Sequence, residues 1–472
     1  MSPAIAAVAP SSGPATIPLS QLSLAARTMI DSSDHNGRPA LPATPNARLA
    51  SAAGERRRYD QPAREPARVV FYSHDTMGLG HLRRNLILAQ SLSESPLAAT
   101  SLLVAGAHEA NFFALPPRVG LLTLPRLAKD GTGNYASGHL NLSVEQLVKL
   151  RADSIRSALD AFAPHLIVVD KVPAGAFGEM LPALCRLRRR HGTKCVLGVR
   201  DVLDEPERVR SEWDNAATQD ALRNLHDEIW VYGDRRVYDP AREYEWPAEI
   251  AGKVRYTGYL DQTRRLRQSA GGANAPCVTP PATKDKLVVC SLGGGQDGFE
   301  LADAFIDGLP AEGYHGVLIT GPYMPAEQME QLRRRAMKRS HLQFVRFTPE
   351  SDRLIQLADL VITMGGYNSV CSVLSFGKRA LLSPRVVPRQ EQLIRAERLN
   401  ALGLIDLVHP DQLCAAAIRR WIVSEPSGDR PAAAEVISLD GLSRVDRYAS
   451  ELIGAGHGAG QHASQQKGAT LP

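Results

Sequence analysis

The chain lacks several features that would place it in other classes of protein. It has six cysteines but no Cys-x-x-Cys pair, and its thirteen histidines do not cluster with them, which argues against a disulfide framework and a structural zinc site. No stretch approaches about 18 consecutive apolar residues, so we expect no transmembrane helix. The net charge is only +5 and no aromatic residues interleave the basic clusters, so we expect no nucleic-acid partner.

Two catalytic signatures are also missing. No Gly-x-Ser-x-Gly elbow occurs, which argues against an α/β-hydrolase. No Asp-x-Asp pair occurs anywhere in the chain, so we expect no metal-chelated substrate of the kind that such carboxylate pairs hold. The reducing, cytoplasmic compartment fits the cysteine usage best.

Short apolar runs alternate with helical segments from Ala67 onward. Before it, residues 1–66 are rich in Ala, Pro and Ser and predict a disordered leader, with a transit peptide as the alternative. Apolar runs separated by helices indicate parallel strands with crossover helices, so residues 67–262 predict a Rossmann-like, doubly wound α/β domain. Its strands are expected at residues 68–72, 101–104, 119–124, 166–169, 195–199, 228–231 and 253–257.

The same pattern restarts after a stretch rich in Gly, Pro and Ala, residues 263–286, which predicts a linker. Residues 287–410 predict a second Rossmann-like domain, followed by helices at 411–455 and a disordered tail at 456–472. Its strands are expected at residues 287–291, 316–320, 342–346, 360–363, 380–382 and 404–408. Ligands of open α/β sheets bind beyond the carboxyl ends of the strands, so two such domains predict a cleft between them.

The loop HDTMGLGHLRRN joins the first strand to a helix. Gly78 and Gly80 permit a tight turn, and His81 stands at the helix entry, where an imidazole can act as a base near neutral pH. Arg83 and Arg84 either steer an anionic substrate or solvate the helix. The alternative for the loop is a plain turn with a capping histidine, since Arg83 stands where a dinucleotide fingerprint needs its third glycine.

Three helix starts in the second domain are candidates for ligand binding. Backbone amides at a helix N-terminus attract a diphosphate, although a turn without a ligand is the alternative for the first of these segments. The polar side chains at the third helix start could form hydrogen bonds with sugar or ribose hydroxyls, or they could belong to an ordinary charged face of the helix. The residues concerned are Gly293, Gly294, Gly295 and Gln296 in SLGGGQDGFE, Gly365, Gly366, Tyr367, Asn368 and Ser369 in MGGYNSV, and Glu391 and Gln392 in RQEQLIRAERL.

With these segments the chain resembles the GT-B glycosyltransferases, and most closely glycosyltransferase family 28, whose best-known members make lipid II or transfer sugar to diacylglycerol. It is also similar to the predicted bacterial glycosyltransferases related to that family. The resemblance covers roughly residues 68–410 and is most specific in the opening loop and at 358–399. It implies a GT-B fold and an inverting, metal-independent transfer of a hexose-type sugar from a nucleotide diphosphate sugar, which we expect to be UDP-linked, with no cofactor.

The resemblance also implies roles for individual residues. His81 is the first candidate for the base, and Asp75 is the second, either as the base or as the group that orients the histidine. In the family a glutamate that grips the ribose commonly stands where this chain has Ser372, which offers a single hydroxyl. The donor-binding set is therefore the two glycine-rich turns with Ser372, Glu391 and Gln392. The acceptor-side set is Gly78, Gly80, Arg83, Asp170 and Asp201. For Asp170 and Asp201, capping of a helix N-terminus is the alternative.

The implied partners are a nucleotide-sugar donor and a hydroxyl acceptor, which is a lipid, a polysaccharide or a small metabolite. The expected location is the cytoplasm or the inner face of the membrane, where residues 111–122 would dock unless they pack in the core. Two other functions stay open: a nucleotide-sugar 2-epimerase with the same fold and, because of Ser372, a non-catalytic nucleotide-sugar-binding protein.

Overall fold

The computed structural model describes residues 65–74, 80–106, 113–129, 135–137, 140–269, 284–349, 351–425 and 430–465. The predicted leader up to residue 64, residues 270–283 of the predicted linker and residues 466–472 of the predicted tail lie outside this description.

The first domain is built on a parallel sheet. Its strands are β1 (Arg68–Ser73), β2 (Thr100–Ala105), β3 (Val119–Thr123), β6 (Leu166–Asp170), β7 (Lys194–Arg200), β8 (Glu228–Tyr232) and β9 (Val254–Tyr256), in the order β3-β2-β1-β6-β7-β8-β9, and a small antiparallel pair, β4 (Leu127–Lys129) and β5 (Tyr135–Ser137), lies outside it. Val69, Phe71 and Val168 are fully buried, because a parallel sheet carries helices on both faces.

The helices of the first domain connect these strands. They are α1 (Gly80–Glu94), α2 (Val144–Phe162), α3 (Leu181–His191), α4 (Pro206–Trp213), α5 (Ala216–Asp220), α6 (Pro240–Glu243), α7 (Ala248–Ala251) and α8 (Thr263–Ser269), with a 3-10 turn at Ala176–Gly178 and a π-helical turn at Ala221–Leu225. Ser143 caps α2 and forms a capping box with Gln146, so the sequence fixes that start locally.

The second domain repeats the arrangement with six parallel strands. They are β10 (Lys286–Ser291), β11 (Tyr314–Ile319), β12 (Leu342–Val345), β13 (Leu360–Thr363), β14 (Arg379–Leu382) and β15 (Asp406–Leu407), in the order β12-β11-β10-β13-β14-β15. Its helices are α9 (Phe299–Gly308), α10 (Ala326–Ala336), α11 (Ser351–Leu357), α12 (Tyr367–Ser375), α13 (Glu391–Ala401) and α14 (Ala415–Val423). A 3-10 turn at Pro410–Gln412 precedes α14, and α15 (Ala433–Val436) and α16 (Gly441–Gln465) follow it.

The predicted fold class, two doubly wound α/β domains, is confirmed. Each predicted strand coincides with an observed one to within about two residues, because continuous apolar runs bounded by turn residues are a strong local signal. The β4–β5 hairpin was not predicted. Its strands have three residues each, which is too short for a period-2 pattern to stand out.

The C-terminal helix departs from the predicted organisation. Helix α16 continues to Gln465, past the predicted end at residue 455, and it packs on the first domain. An apolar stripe that includes Leu442, Val445 and Ala449 is buried, and the Ser91 hydroxyl of α1 donates to Asp446 at 2.8 Å. Helix α8 likewise occupies residues 263–269 of the predicted linker. Among the described residues, no helix has both the length and the apolar character to cross a bilayer.

Candidate active site

Described residues of both domains line a cleft of about 870 Å³, a volume that includes space open to solvent. The first domain contributes the start of α1 and the end of β7, and the second contributes the loops that follow β10, β11, β12 and β13. The cleft therefore lies at the carboxyl ends of both sheets. Nine of the residues predicted from the sequence line it: Gly80, His81, Arg83, Gly293, Gly294, Gly366, Tyr367, Asn368 and Ser369.

The turn before α12 presents to the cleft backbone amides that no described residue bonds. Gly366 is the N-cap residue, no side chain caps the helix, and its first turn contains no acidic residue. Gly365 has a φ of +80°, which favours glycine, whereas a Cβ on Gly366 would meet no atom within 4 Å. The free amides and the positive end of the helix dipole form a setting that attracts a diphosphate.

The turn after β10 also offers backbone to the cleft. Gly293 and Gly294 line it, while a Cβ on Gly295 would lie 1.9 Å from the backbone oxygen of Thr320, so only glycine fits there. Gln296 is exposed and does not line the cleft. Of the four residues predicted in this turn, two therefore face the cleft and Gly295 shapes the turn behind them.

His81 forms a buried pair with Asp170. The imidazole Nδ1 lies 2.8 Å from Asp170 Oδ2. Burial lowers the pKa of His81 to about 4, although Asp170 acts in the opposite direction. Burial also disfavours the charged form of Asp170, but Arg84 and His81 hold the pKa of this carboxyl well below its usual range. The ionised Asp170 therefore accepts the Nδ1 proton, which leaves the Nε2 of neutral His81 as the atom able to take a proton.

Arg84 completes this cluster. Its Nη2 lies 2.5 Å from both oxygens of Asp170 and 3.0 Å from His81 Nδ1, and the Arg84 side chain is 1% exposed. Its charge is compensated by Asp170, so it is not free to steer an anionic substrate, which was one of the two roles considered for it. Asp170, predicted on the acceptor side, contacts His81, and its part in binding an acceptor stays a prediction.

Arg83 and Ser372 meet on a carboxylate that the sequence analysis missed. Arg83 Nη2 donates to Asp352 Oδ2 at 2.9 Å, and Ser372 Oγ donates to Asp352 Oδ1 at 2.7 Å. Asp352 is buried near the start of α11, and Arg265 lies 3.5 Å away. Because Arg83 belongs to the first domain and Asp352 to the second, this cluster joins the domains. The Ser372 hydroxyl is engaged by a carboxylate rather than directed into the cleft.

Glu391 and Gln392 both contact Arg385. The Arg385 guanidinium donates to Glu391 Oε1 at 2.7 Å, and the Arg385 backbone N–H donates to Gln392 Oε1 at 3.0 Å. Neither residue is among those lining the cleft. The second oxygen of Glu391, Oε2, is buried without a hydrogen-bond partner in the described part of the chain. A contact of these two residues with sugar or ribose hydroxyls stays a prediction.

Asp201 has a structural setting instead of the predicted acceptor-side one. It is fully buried, and Arg395 of α13 donates to its two oxygens at 2.6–3.0 Å. Tyr259 donates to Asp201 Oδ2 at 2.7 Å, and the Val202 backbone N–H donates to Oδ1 at 2.8 Å. All of its acceptor capacity faces protein groups, so Asp201 fixes the second domain on the first and is not available to a substrate.

Several cleft residues were missed by the sequence analysis. Arg200 ends β7 at the same sheet edge as Asp170, so its position after a strand was an available signal. Phe113, Pro322, Phe347, Thr348 and Pro349 also line the cleft. The predicted residues Asp75 and Gly78 lie outside the described residues.

A metal site does not emerge from the described side chains. No three of their His, Cys, Asp and Glu residues are grouped closely enough to hold an ion. The independence from metal stays a prediction, because the loop that contains Asp75 is not described.

Comparison with known protein families identifies the second domain. Residues 289–407 match the glycosyltransferase family 28 C-terminal domain. This match spans β10 to β15, and so it includes both glycine-rich turns and the start of α13. None of the curated proteins matches the sequence.

Solved structures share the fold across both domains. The glycosyltransferase SnogD from Streptomyces nogalater is 17% identical, with a TM-score of 0.53, over 83% of this chain and 100% of that one. A UDP-glucosyltransferase from Polygonum tinctorium, capable of glucosylating indoxyl, is 14% identical, with a TM-score of 0.50, over 82% of this chain and 94% of that one. The predicted resemblance to GT-B glycosyltransferases of the family 28 type is therefore confirmed: the fold by these structures, and the class of enzyme, a glycosyltransferase, by the domain match.

Proposed function

We propose that the protein is an inverting, metal-independent glycosyltransferase that moves a hexose-type sugar from a UDP-linked donor to an acceptor hydroxyl. One observation carries the proposal: a single cleft has the open N-terminus of α12 on its second-domain side and the neutral, Asp170-bound His81 on its first-domain side. The first group suits a leaving diphosphate and the second suits a proton acceptor.

The donor diphosphate would lie on the turns that contain Gly293, Gly294 and Gly366. Their amides and the dipole of α12 would stabilise the negative charge that grows on the leaving diphosphate. These backbone groups are fixed before the reaction, so their reorganisation costs little. They could supply the stabilisation that a metal ion gives in other enzymes of this kind.

His81 would act on the acceptor. Its Nε2 takes the proton of the acceptor hydroxyl while that oxygen bonds to the anomeric carbon, and the bond from this carbon to the diphosphate breaks with its electron pair leaving on the diphosphate. Asp170 stabilises the resulting imidazolium. Because base and leaving group lie on opposite sides of the cleft, attack comes from the face opposite the diphosphate, and a single displacement inverts the anomeric configuration.

The acceptor is proposed to be a lipid, a polysaccharide or a small metabolite bound on the first-domain side. A cytoplasmic enzyme with a lipid acceptor would work at the inner face of the membrane. A nucleotide-sugar-binding protein without turnover is the second candidate, because Ser372 replaces the family glutamate and bonds to Asp352.

Calorimetry with the full chain tests the proposal. UDP, GDP, dTDP and their common sugar conjugates are titrated in the presence of a chelator, and donor consumption is then followed with hydroxyl acceptors of the three classes. We expect saturable binding of one nucleotide at micromolar concentration, and slow donor turnover that is lost in His81→Ala. Binding without turnover would favour the second candidate, and no binding of any nucleotide would refute both.

A matched pair of glycine variants locates the nucleotide. Gly366→Leu places a side chain in open space at an ordinary φ of −58°, so it should abolish nucleotide binding with little change in Tm. Gly365→Ala forces a side chain onto a φ of +80° and should lower Tm by an amount that corresponds to about 1 kcal/mol or more. Unchanged nucleotide affinity in Gly366→Leu would contradict the placement on α12.

A further inference from the structure

Among the described residues, two cations beside the cleft lack the partners that the other cations of this region have. Arg200 ends β7 and lines the cleft, and its guanidinium forms neither a hydrogen bond nor a salt bridge with any described residue. Lys171 follows Asp170, the last residue of β6, and no described group accepts a hydrogen bond from its ammonium. Its backbone N–H donates to Gly198 at 2.8 Å, which fixes the residue between β6 and β7.

The neighbouring charges are already committed to each other. Arg385 pairs with Asp297 and Glu391, at 2.8 Å and 2.7 Å. Arg389 pairs with Asp204 at 2.9 Å and Glu212 at 2.7 Å.

The described part of the chain leaves one carboxylate oxygen for the two cations. Lys171 interacts electrostatically with Arg200, Arg389, Glu391 and Glu212, and Arg200 does so with Glu391, Arg395, Arg84 and Asp170. Among the described groups, the buried Oε2 of Glu391 is the one uncommitted carboxylate oxygen near both. Counted over the described groups, the region therefore holds an excess of positive charge.

This excess is costly for the protein alone. Burial and the neighbouring arginines lower the pKa of Lys171 to about 7, which means that the environment disfavours its charged form. The pKa of Arg200 is lowered for the same two reasons. Such unfavourable placements of charge are typical of binding sites.

We propose that Arg200 and Lys171 bind an anionic group of a substrate, a phosphate or a carboxylate, that is separate from the donor diphosphate. The site deepens the proposed glycosyltransferase function and rests on it. Lys171 is not among the described residues that line the cleft, and its charged neighbours lie on α4 and around the start of α13. The anion therefore sits on the α13 side of His81, within reach of an acceptor or of the transferred sugar. Arg83 and Arg84 cannot serve, since Asp352 and Asp170 compensate them.

Titration with inorganic phosphate tests this site in the full chain saturated with UDP. We expect saturable phosphate binding that Arg200→Met and Lys171→Met each weaken by about tenfold or more, the usual effect of losing a charge-assisted hydrogen bond. The same chemical changes at exposed sites, Arg242→Met and Lys149→Met, serve as controls and should have no effect. A thermal melt adds a second readout: Arg200→Met should not lower Tm, whereas a purely structural arginine would.

The source of the anion is distinguished by a second arm that compares UDP-glucuronic acid with UDP-glucose. The anion belongs to the donor sugar if UDP-glucuronic acid binds more tightly than UDP-glucose and displaces phosphate, and if Arg200→Met abolishes this preference. Equal binding of the two conjugates, with phosphate bound beside both, assigns it to the acceptor. Absence of phosphate binding to the UDP-saturated chain together with no preference between the conjugates overturns the site. Failure of UDP itself to bind refutes the donor-site assignment instead, and phosphate added to the free chain then tests the two cations alone.

Discussion

Removing Arg395 should destabilise the protein more than any loss of a surface charge. Arg395 and Asp201 have fully buried side chains and lie in different domains. In Arg395→Met, Asp201 keeps only the Tyr259 hydroxyl and the Val202 N–H as donors, and a buried carboxylate loses its counter-charge. Breaking a buried ion pair in this way costs about 3–5 kcal/mol.

A double variant measures the interaction between the Arg395 and Asp201 side chains. Asp201→Asn/Arg395→Met removes both charges, and the asparagine oxygen can still accept from Tyr259. We therefore expect the double variant to be more stable than Arg395→Met by about 2 kcal/mol, since leaving one buried charge unpaired costs more than removing both. Urea unfolding followed by tryptophan fluorescence measures this difference.

The control is an exposed ion pair. Lys149 and Asp153 on α2 lie 2.6 Å apart, with side chains 77% and 45% exposed, so Lys149→Met should leave the urea midpoint unchanged. Arg395 Nη1 also donates to the Gly365 oxygen at 3.1 Å, which supports the turn before α12, so Arg395→Met should weaken nucleotide binding as well. An Arg395→Met midpoint equal to that of Lys149→Met would refute the role assigned to this pair.

Two further predictions concern His81 and Ser372. Burial lowers the pKa of His81 from 6.5 to about 4. We therefore expect kcat/KM for donor turnover to stay level from pH 7 down to about pH 5 and to fall only near pH 4. A pH–rate profile in which kcat/KM falls near pH 6.5 would contradict this expectation. The unfolded chain binds more protons than the folded one between about pH 6.5 and pH 4, so Tm should fall as pH falls through that range. Ser372→Glu should lower Tm without tightening nucleotide binding, because it places a second carboxylate against Asp352. Ser372→Ala should lower Tm less. Tighter nucleotide binding in Ser372→Glu would mean that the glutamate reaches the ribose.

The backbone architecture was predictable because its signals are local. Strands β1, β6 and β10 have continuous apolar interiors, and each ends at a polar residue before a turn. The glycine-rich turns before α9 and α12 are equally local, since Gly295 and Gly365 are required by positive φ values. The family resemblance then placed His81 and these turns in one cleft.

The polar contacts between the domains were not predictable in the same way. Arg395 and Asp201 are 194 positions apart in the chain, and Arg83 and Asp352 are 269 apart. No spacing or periodicity in a single sequence pairs residues at such distances. Asp201 was therefore assigned to the acceptor from its place after a strand, whereas a buried arginine of the second domain occupies it.

The sequence and the structure favour different arginines for binding an anionic substrate. The sequence offered Arg83 and Arg84 because they begin a helix that faces the cleft, but a charge can attract a ligand only if the protein has not already compensated it. Asp352 and Asp170 compensate these two arginines, whereas Arg200 lines the cleft and has no such partner in the described part of the chain. The functional charge of this cleft is therefore set by which carboxylates the fold brings to each arginine, and Arg200 is the residue whose removal should change substrate recognition at the smallest cost in stability.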